Sequence, residues 1–485
     1  MAKRVLAGYS LIRSYLGVIL ILIGCVLLLP LLVLIGYPEE VEFAKCFLIP
    51  ASVSIIIGIA MSILIVGRPK EKLERNHDAI IITTAWIMAI LISTVPFVLS
   101  GQANFLHALF ESTSGYATVG LTVVDVTTMP HIFLMFRSIM QLFGGVGLVL
   151  VVTTVMSRYY GMKLYQAEGH ADRVMPNLIN SARVILAIYL LYILFGSLAY
   201  MYFGMNWFDA INHAMCALST GGFSTRTNSI QYYSNPAIES VSIILMLLGA
   251  ISFLAHLAMI KGELKKVTKH CETKFMFWII LISTIIVSGF LIGTNSNVFR
   301  TSLFHVVSAI TTTGFSTEIV SNFSTPIIFI LIVLMTFGGQ VGSTSGGIKL
   351  YRVYILFKDF IWHIKGRISS KYVIRPNTID KFGESVKVED DEKLSIGNFA
   401  LLYIVILILG TFVITCYGYT LRDALFEFAA SLSGAGLTIG IINATAPAGV
   451  LVTCILGMFL GRLEMYIIFI AIAKVCDDVK NKVVG

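Results

Sequence analysis

Apolar runs broken by short polar connections make up most of the chain. Runs near 15–36, 46–67, 79–99, 132–156, 184–203, 237–260, 275–293, 324–348, 397–417 and 447–473 are mostly close to the ~20 residues a helix needs to cross a bilayer. From Asp78 onward the spans come in pairs, and within each pair lies a half-length segment: Asn104–Ser114, Trp207–Leu218, Val298–Ile310 and Leu421–Leu432. Each is 11 to 13 residues, too short to span and long enough for a re-entrant helix.

A glycine loop follows every half-length segment. The four read Thr118-Val119-Gly120-Leu121, Thr220-Gly221-Gly222-Phe223, Thr312-Thr313-Gly314-Phe315 and Gly434-Ala435-Gly436-Leu437. Aligned on the third residue, they agree well beyond the loop. A hydroxyl stands two residues after the glycine (Thr122, Ser224, Ser316, Thr438), and Glu111, His213, His305 and Glu427 stand nine before it. The following span repeats a glycine as well: Gly144, Gly249, Gly338 and Gly461 lie 24, 27, 24 and 25 residues further on. Close packing accounts for such glycines, but recurrence at near-constant spacing points to duplication of a whole unit.

The predicted fold is therefore an all-α polytopic membrane protein. Four parallel span–pore helix–filter loop–span repeats surround one pore, with an extra N-terminal helix pair. The boundaries are 1–75 for the pair, then 76–179, 180–271, 272–394 and 395–485 for the repeats. Non-helical backbone at membrane depth survives only where protein or water surrounds it, so the loops should line a wet cavity. Four loops about one axis offer rings of carbonyl oxygens to a dehydrated cation, and each pore helix points its negative end at them. The hydroxyls of Thr118, Thr220 and Thr312 would add a partial ring, broken at Gly434.

Composition and charge exclude other classes. With 57% hydrophobic and 13% charged residues, a soluble globule is ruled out. The ten spans put 29 of the 35 Lys and Arg residues on one side, which is then the cytoplasmic side holding both termini. Topology explains this basic face, so nucleic acid is not expected as a partner. The first run is too long for a signal peptide and lacks a cleavage pattern, so it reads as a retained span. Seven scattered cysteines without a CxxC pair read as small hydrophobes. No nucleophile, acid–base pair or metal-ligand set suggests an enzyme.

Several features outside the loops carry their own expectations. The third unit's second span runs into Gly338-Gly339-Gln340-Val341-Gly342-Ser343-Thr344-Ser345-Gly346-Gly347-Ile348-Lys349, which should not hold a straight helix and does not fit a phosphate loop. Arg462 aligns with Gly145, Ala250 and Gly339, deep in the fourth unit. It reads either as a barrier to cations that meets the glycine-rich loop in a gate, or as half of an ion pair with Glu464. Glu39, Glu40, Glu42, Asp125, Asp209, Glu239 and Glu318 would concentrate cations at the outer mouth. Glu111 and Glu427 either pair with each other or a base, or face the vestibule. Segment 349–396 reads as a surface helix and solvated linker or as a docking surface. The N-terminal pair reads as a packing or oligomerisation appendage.

These loops, the Gly/Ser/Thr break and the arginine together resemble the potassium-uptake superfamily of Trk, Ktr and HKT proteins, most nearly its TrkH-type subunits. The resemblance runs from about residue 76 to the end and includes the extra helix pair. It implies potassium as the permeant ion, with no covalently bound cofactor. It also implies a homodimer with one pore per subunit and a cytoplasmic nucleotide-binding ring partner of TrkA type. The location it implies is the bacterial inner membrane. Gly120 favours potassium, since some sodium-passing plant relatives carry serine there. A coupled secondary symporter is the rival reading, although such folds usually carry inverted repeats and intramembrane carboxylates.

Overall fold

Four short helices, stopped by the glycine loops, organise this computed structural model, which describes residues 2–62, 76–147, 178–293, 297–368 and 377–484. They run Phe105–Tyr116, Trp207–Leu218, Val298–Ile310 and Leu421–Ser433, two as expected and two extended at the C-terminal end. Side chains of Asn104, Asn206 and Thr420 accept from the N–H groups of His107, Asp209 and Asp423, satisfying donors that a first helical turn leaves open.

Each short helix sits between an outer and an inner helix. The outer helices are His77–Leu99, Leu178–Tyr202, Cys271–Leu291 and Asp390–Thr415. The inner helices are His131–Val146, Pro236–Ala250, Thr325–Phe337 and Ala448–Arg462. All four inner helices end within two residues of the repeated glycine. The need for glycine there is steric. A methyl group on Gly144, Gly249 or Gly461 would overlap the carbonyl of Tyr116, Leu218 or Leu432, the residue at or next to the end of that repeat's own short helix. In the third repeat Gly338 meets Gly346 of the inserted loop instead.

This arrangement corrects the expected count of ten continuous spans. Among the described residues, six uninterrupted helices have the length and apolarity to cross a membrane. The inner helices of the second and fourth repeats continue only after sharp bends, 109° into Phe253–Ile260 and 95° into Tyr466–Lys480. The expected span 324–348 is helical only to Phe337, because the glycine-rich run leaves the helix at Gly338 (φ 71°). The tail of the expected span 132–156 lies outside the described residues beyond Gly147, as do most of the basic connections 68–78 and 157–183.

The N-terminal pair packs along small residues. Gly17 lies against Gly58, and Gly24 against the Ala51 carbonyl. The pair joins the first repeat through Phe47, whose ring is 5.1 Å from Phe133 and 5.2 Å from Phe136. Glu40, in the link between its helices, accepts from the N–H groups of His131 (2.8 Å) and Ile132 (2.9 Å), capping the first inner helix. On the opposite side, the segment read either as a surface helix and solvated linker or as a docking surface holds the helix Leu350–Ile368 and a hairpin, Thr378–Lys381 against Glu384–Lys387. The Phe382 ring at its tip meets His270 edge-on at 4.1 Å. The acidic run Asp390-Asp391-Glu392 forms the first turn of the last outer helix, where the helix dipole favours negative charge.

The steric account of the inner-helix glycines gives a paired test. Gly144→Ala must displace backbone and should cost ~1–3 kcal/mol, seen as a lower melting temperature in detergent. Gly289→Ala meets nothing within 4 Å on an outer helix and should be neutral or stabilising by up to ~1 kcal/mol. Equal melting temperatures for the two variants would refute the account.

Candidate functional site

All four short helices close with a backbone bond that reaches five residues back, and in the first three a second bond reaching three residues back accompanies it. Thr118, Thr220 and Thr312 donate their N–H groups to the carbonyls three residues back, each at 3.1 Å. The next residues, Val119, Gly221, Thr313 and Ala435, donate to carbonyls five residues back, at 2.9, 2.9, 3.0 and 2.9 Å. Such a cap needs a left-handed residue, and Thr118 (φ 52°), Thr220 (φ 51°), Thr312 (φ 54°) and Gly434 (φ 74°) supply it. A β-branched residue in that region is strained by ~1–2 kcal/mol. The break in the threonine series at Gly434 is thus the conformationally easy choice.

The loop glycines then turn left-handed again, with φ of 94°, 73°, 93° and 62° at Gly120, Gly222, Gly314 and Gly436. A methyl group at Gly120 would overlap the carbonyl of Gly221, one at Gly222 that of Thr313, one at Gly314 that of Ala435, and one at Gly436 that of Val119. The contacts run from loop 1 to 2, 2 to 3, 3 to 4 and 4 back to 1, which closes a ring around a single axis. Glycine is required twice over, by its backbone angle and by the neighbouring carbonyl. Outside the ring lies a vestibule of about 590 Å³, lined by the four glycines and by Thr122, Ser224, Ser316 and Thr438. Leu121, Phe223, Phe315 and Leu437 are buried, packing the loops against the core.

In three repeats the residue nine before the glycine holds the outgoing limb of the loop. Glu111 accepts from Thr122 Oγ1 (2.6 Å) and Val123 N (2.7 Å). His213 Nε2 bonds Ser224 Oγ at 2.9 Å, and Glu427 accepts from Thr438 Oγ1 and from Ile442 N at 3.0 Å. His305 bonds the Thr301 carbonyl at 2.9 Å within its own helix. The two glutamates therefore do not pair with each other. Glu111 binds Arg137 Nε at 3.0 Å, and the same guanidinium lies 3.8 Å above the ring of Phe223, joining loops 1 and 2. Gln141 adds a second tie: its Nε2 donates to the Gly221 carbonyl (2.6 Å) and its Oε1 accepts from Phe223 N (3.1 Å). The sequence signals neither Arg137 nor Gln141 as a loop residue, since neither recurs in the other repeats.

Several carboxylates expected at the mouth are already engaged. Asp209 binds Arg226 (2.7 Å) and Tyr233 (2.8 Å), Glu239 binds Arg300 (2.9 Å), and Glu40 is a helix cap. Asp125 and Glu318 do line the vestibule. The hydroxyl and N–H of Thr127 hold the Asp125 carboxyl below its ordinary range, so it stays ionised.

The glycine-rich loop of the third repeat packs against the inner side of the same caps. Thr344 Oγ1 accepts from Thr220 Oγ1 (3.1 Å) and is in reach of the Leu218 (3.1 Å) and Gly249 (2.9 Å) carbonyls. Gly346 N donates to Thr312 Oγ1 (2.7 Å), and a methyl group on Gly346 would overlap the Ser433 carbonyl. Gly338, Gly342 and Gly347 all take left-handed angles, Gly339 packs on Ser345, and Ser343 Oγ bonds Ser345 Oγ at 2.7 Å. Gln340 N and Oε1 bond Ala250 and Ser252 across the second repeat's bend. Lys349 Nζ donates to the Ser345 carbonyl, which makes the loop's own lysine one of its fasteners. Arg462 donates to the carbonyls of Gly144 and Gly145 in the first repeat, where a helix end leaves acceptors open. Glu464 accepts from Arg352 at 2.6 Å.

The chain matches the family model described as TrkH, cation transport protein, over residues 51–287 and 293–482. It is 30% identical over 466 residues to an uncharacterized cation transporter of Methanocaldococcus jannaschii, covering 95% of each chain. It is 32% identical over 421 residues to the Trk system potassium uptake protein TrkG of Escherichia coli, covering 82% of this chain and 85% of TrkG. Its fold is similar to the crystal structure of the potassium transporter TrkH from Vibrio parahaemolyticus, with a TM-score of 0.84, 25% identity, and 97% and 98% of the two chains covered.

Gln141→Leu removes both ties to loop 2 and leaves a buried carbonyl and N–H unmade, each costing ~1–3 kcal/mol. The variant should discriminate less among alkali cations than the parent in liposome flux. Unchanged cation ratios would show that Gln141 does not hold the loop.

Proposed function

The chain belongs to the TrkH family of cation transport proteins, and from that premise we propose that it takes up potassium through a channel-like pore. The observation that carries this reading is the closed ring of glycine-to-carbonyl contacts among the four loops. In this reading the segments Thr118–Leu121, Thr220–Phe223, Thr312–Phe315 and Gly434–Leu437 would supply the backbone oxygens that replace a potassium hydration shell. The negative ends of four short helices and the ionised Asp125 favour a cation at the same place. Relatives named as potassium uptake proteins support the choice of ion.

The Gly338–Gly347 loop, with Lys349 and Arg462, is the gate in this reading. Its support is position: the loop bonds the caps of loops 2 and 3 and abuts that of loop 4, Lys349 bonds its Ser345 carbonyl, and Arg462 lies on the Gly144 and Gly145 carbonyls of the first repeat. The working assembly would be a homodimer in a bacterial inner membrane, with both termini cytoplasmic. A nucleotide-binding ring would act on the cytoplasmic helix Leu350–Ile368 and the tail.

Flux into liposomes of K⁺, Rb⁺, Na⁺ and Li⁺, with and without a proton gradient, tests the function. Passive transport favouring K⁺ and Rb⁺ is expected, and flux that requires the proton gradient would favour a symporter. Gly120→Ser and Gly436→Ser should each raise Na⁺ permeation relative to K⁺; ratios equal to the parent's would sink the carbonyl ring. Removing Gly342–Ser345, or changing Arg462→Ala, should raise K⁺ flux in the absence of a partner. Two folded variants conducting no faster than the parent would place the gate elsewhere.

A further inference from the structure

Glu111 and Glu427 occupy the same place in the first and fourth repeats, and both are fully buried. Both hold the outgoing limb of their loop through a hydroxyl two residues after the glycine and a backbone N–H beyond it. Their second oxygens differ. Glu111 Oε2 binds Arg137 at 3.0 Å, whereas Glu427 Oε2 has no hydrogen-bond partner among the described residues.

The cause lies in the inner helices. Arg137 stands seven residues before Gly144, and seven before Gly461 stands Cys454, which is also fully buried. Phe223, whose ring receives the Arg137 guanidinium, is on the next loop around the ring. The corresponding next loop for the fourth repeat is the first, and it carries Leu121. The fourth repeat thus lacks both the base and the aromatic ring that would receive it. A buried carboxylate without a paired cation is expensive, whereas a neutral acceptor in the same place is not.

Building on the filter reading above, we infer that Glu427 is a positioning residue of the fourth loop that works as a neutral hydrogen-bonding group, whereas Glu111 works through its charge. Glutamine keeps the acceptor that Thr438 and Ile442 use and cannot carry charge. At position 111 the same change strands the buried Arg137.

The test compares the full-length parent with Glu427→Ala, Glu427→Gln and Glu111→Gln in liposomes and in detergent. Glu427→Ala should lower the K⁺ over Na⁺ ratio by about tenfold, the worth of an unmade buried hydrogen bond. Glu427→Gln should restore that ratio with the parent's KM for K⁺. Glu111→Gln should lower both flux and melting temperature, while Glu427→Gln melts with the parent. A raised KM in Glu427→Gln would mean that its charge serves the ion and would overturn the inference. So would a Glu427→Gln protein that melts as early as Glu111→Gln. Melting temperatures read this asymmetry without transport, so a parent that carried no potassium would overturn the proposed function alone.

Discussion

The architecture depends on one repeated constraint: each loop glycine lies where its neighbour's backbone carbonyl leaves no room for a side chain. Four such contacts close on themselves, so no loop can shift without moving the next. The inner-helix glycines extend the same constraint outward, because they let the ends of three short helices seat against the helices behind them. Chain breaks follow from it as well. Every inner helix stops at its close contact with a short helix or, in the third repeat, with the inserted loop, and the chain after it is bent, outside the described residues, or drawn into the glycine-rich loop.

Around this rigid centre the four quadrants are tied differently. The first two share Arg137 and Gln141, which bind across the boundary between loops 1 and 2. The second and third are joined from inside by Thr344 and Gly346. The fourth touches the inserted loop through Ser433 alone among these contacts, and its clamp Glu427 has no base among the described residues. Structural repetition thus coexists with unequal fastening, a consequence of one chain supplying all four units.

Much of this was legible in the sequence. The short helices were readable to within one or two residues, since polar residues such as Asn206 and Thr420 open them and the glycine loops close them. The loops and span glycines were readable because four copies can be compared within one chain. Features present once were not. Arg137 and Gln141 recur nowhere, and hydropathy gives no sign that Pro236–Ala250 and Phe253–Ile260 meet at 109°. The acidic run at 389–392 read as part of a linker or a docking surface because its role depends on the helix dipole behind it. Glu40 looked like an attractant for ions, and only tertiary proximity to His131 makes it a cap.

A ring assembled from four identical chains can be altered only at all four corners together. Here each corner is encoded separately, so a single substitution changes a quarter of the circle and leaves three quarters as reference. Position 434 is already such a case, with glycine where the other three corners carry strained threonines. The circle therefore has one compliant corner and three stiff ones, and its geometry can be varied in quarter steps rather than all at once.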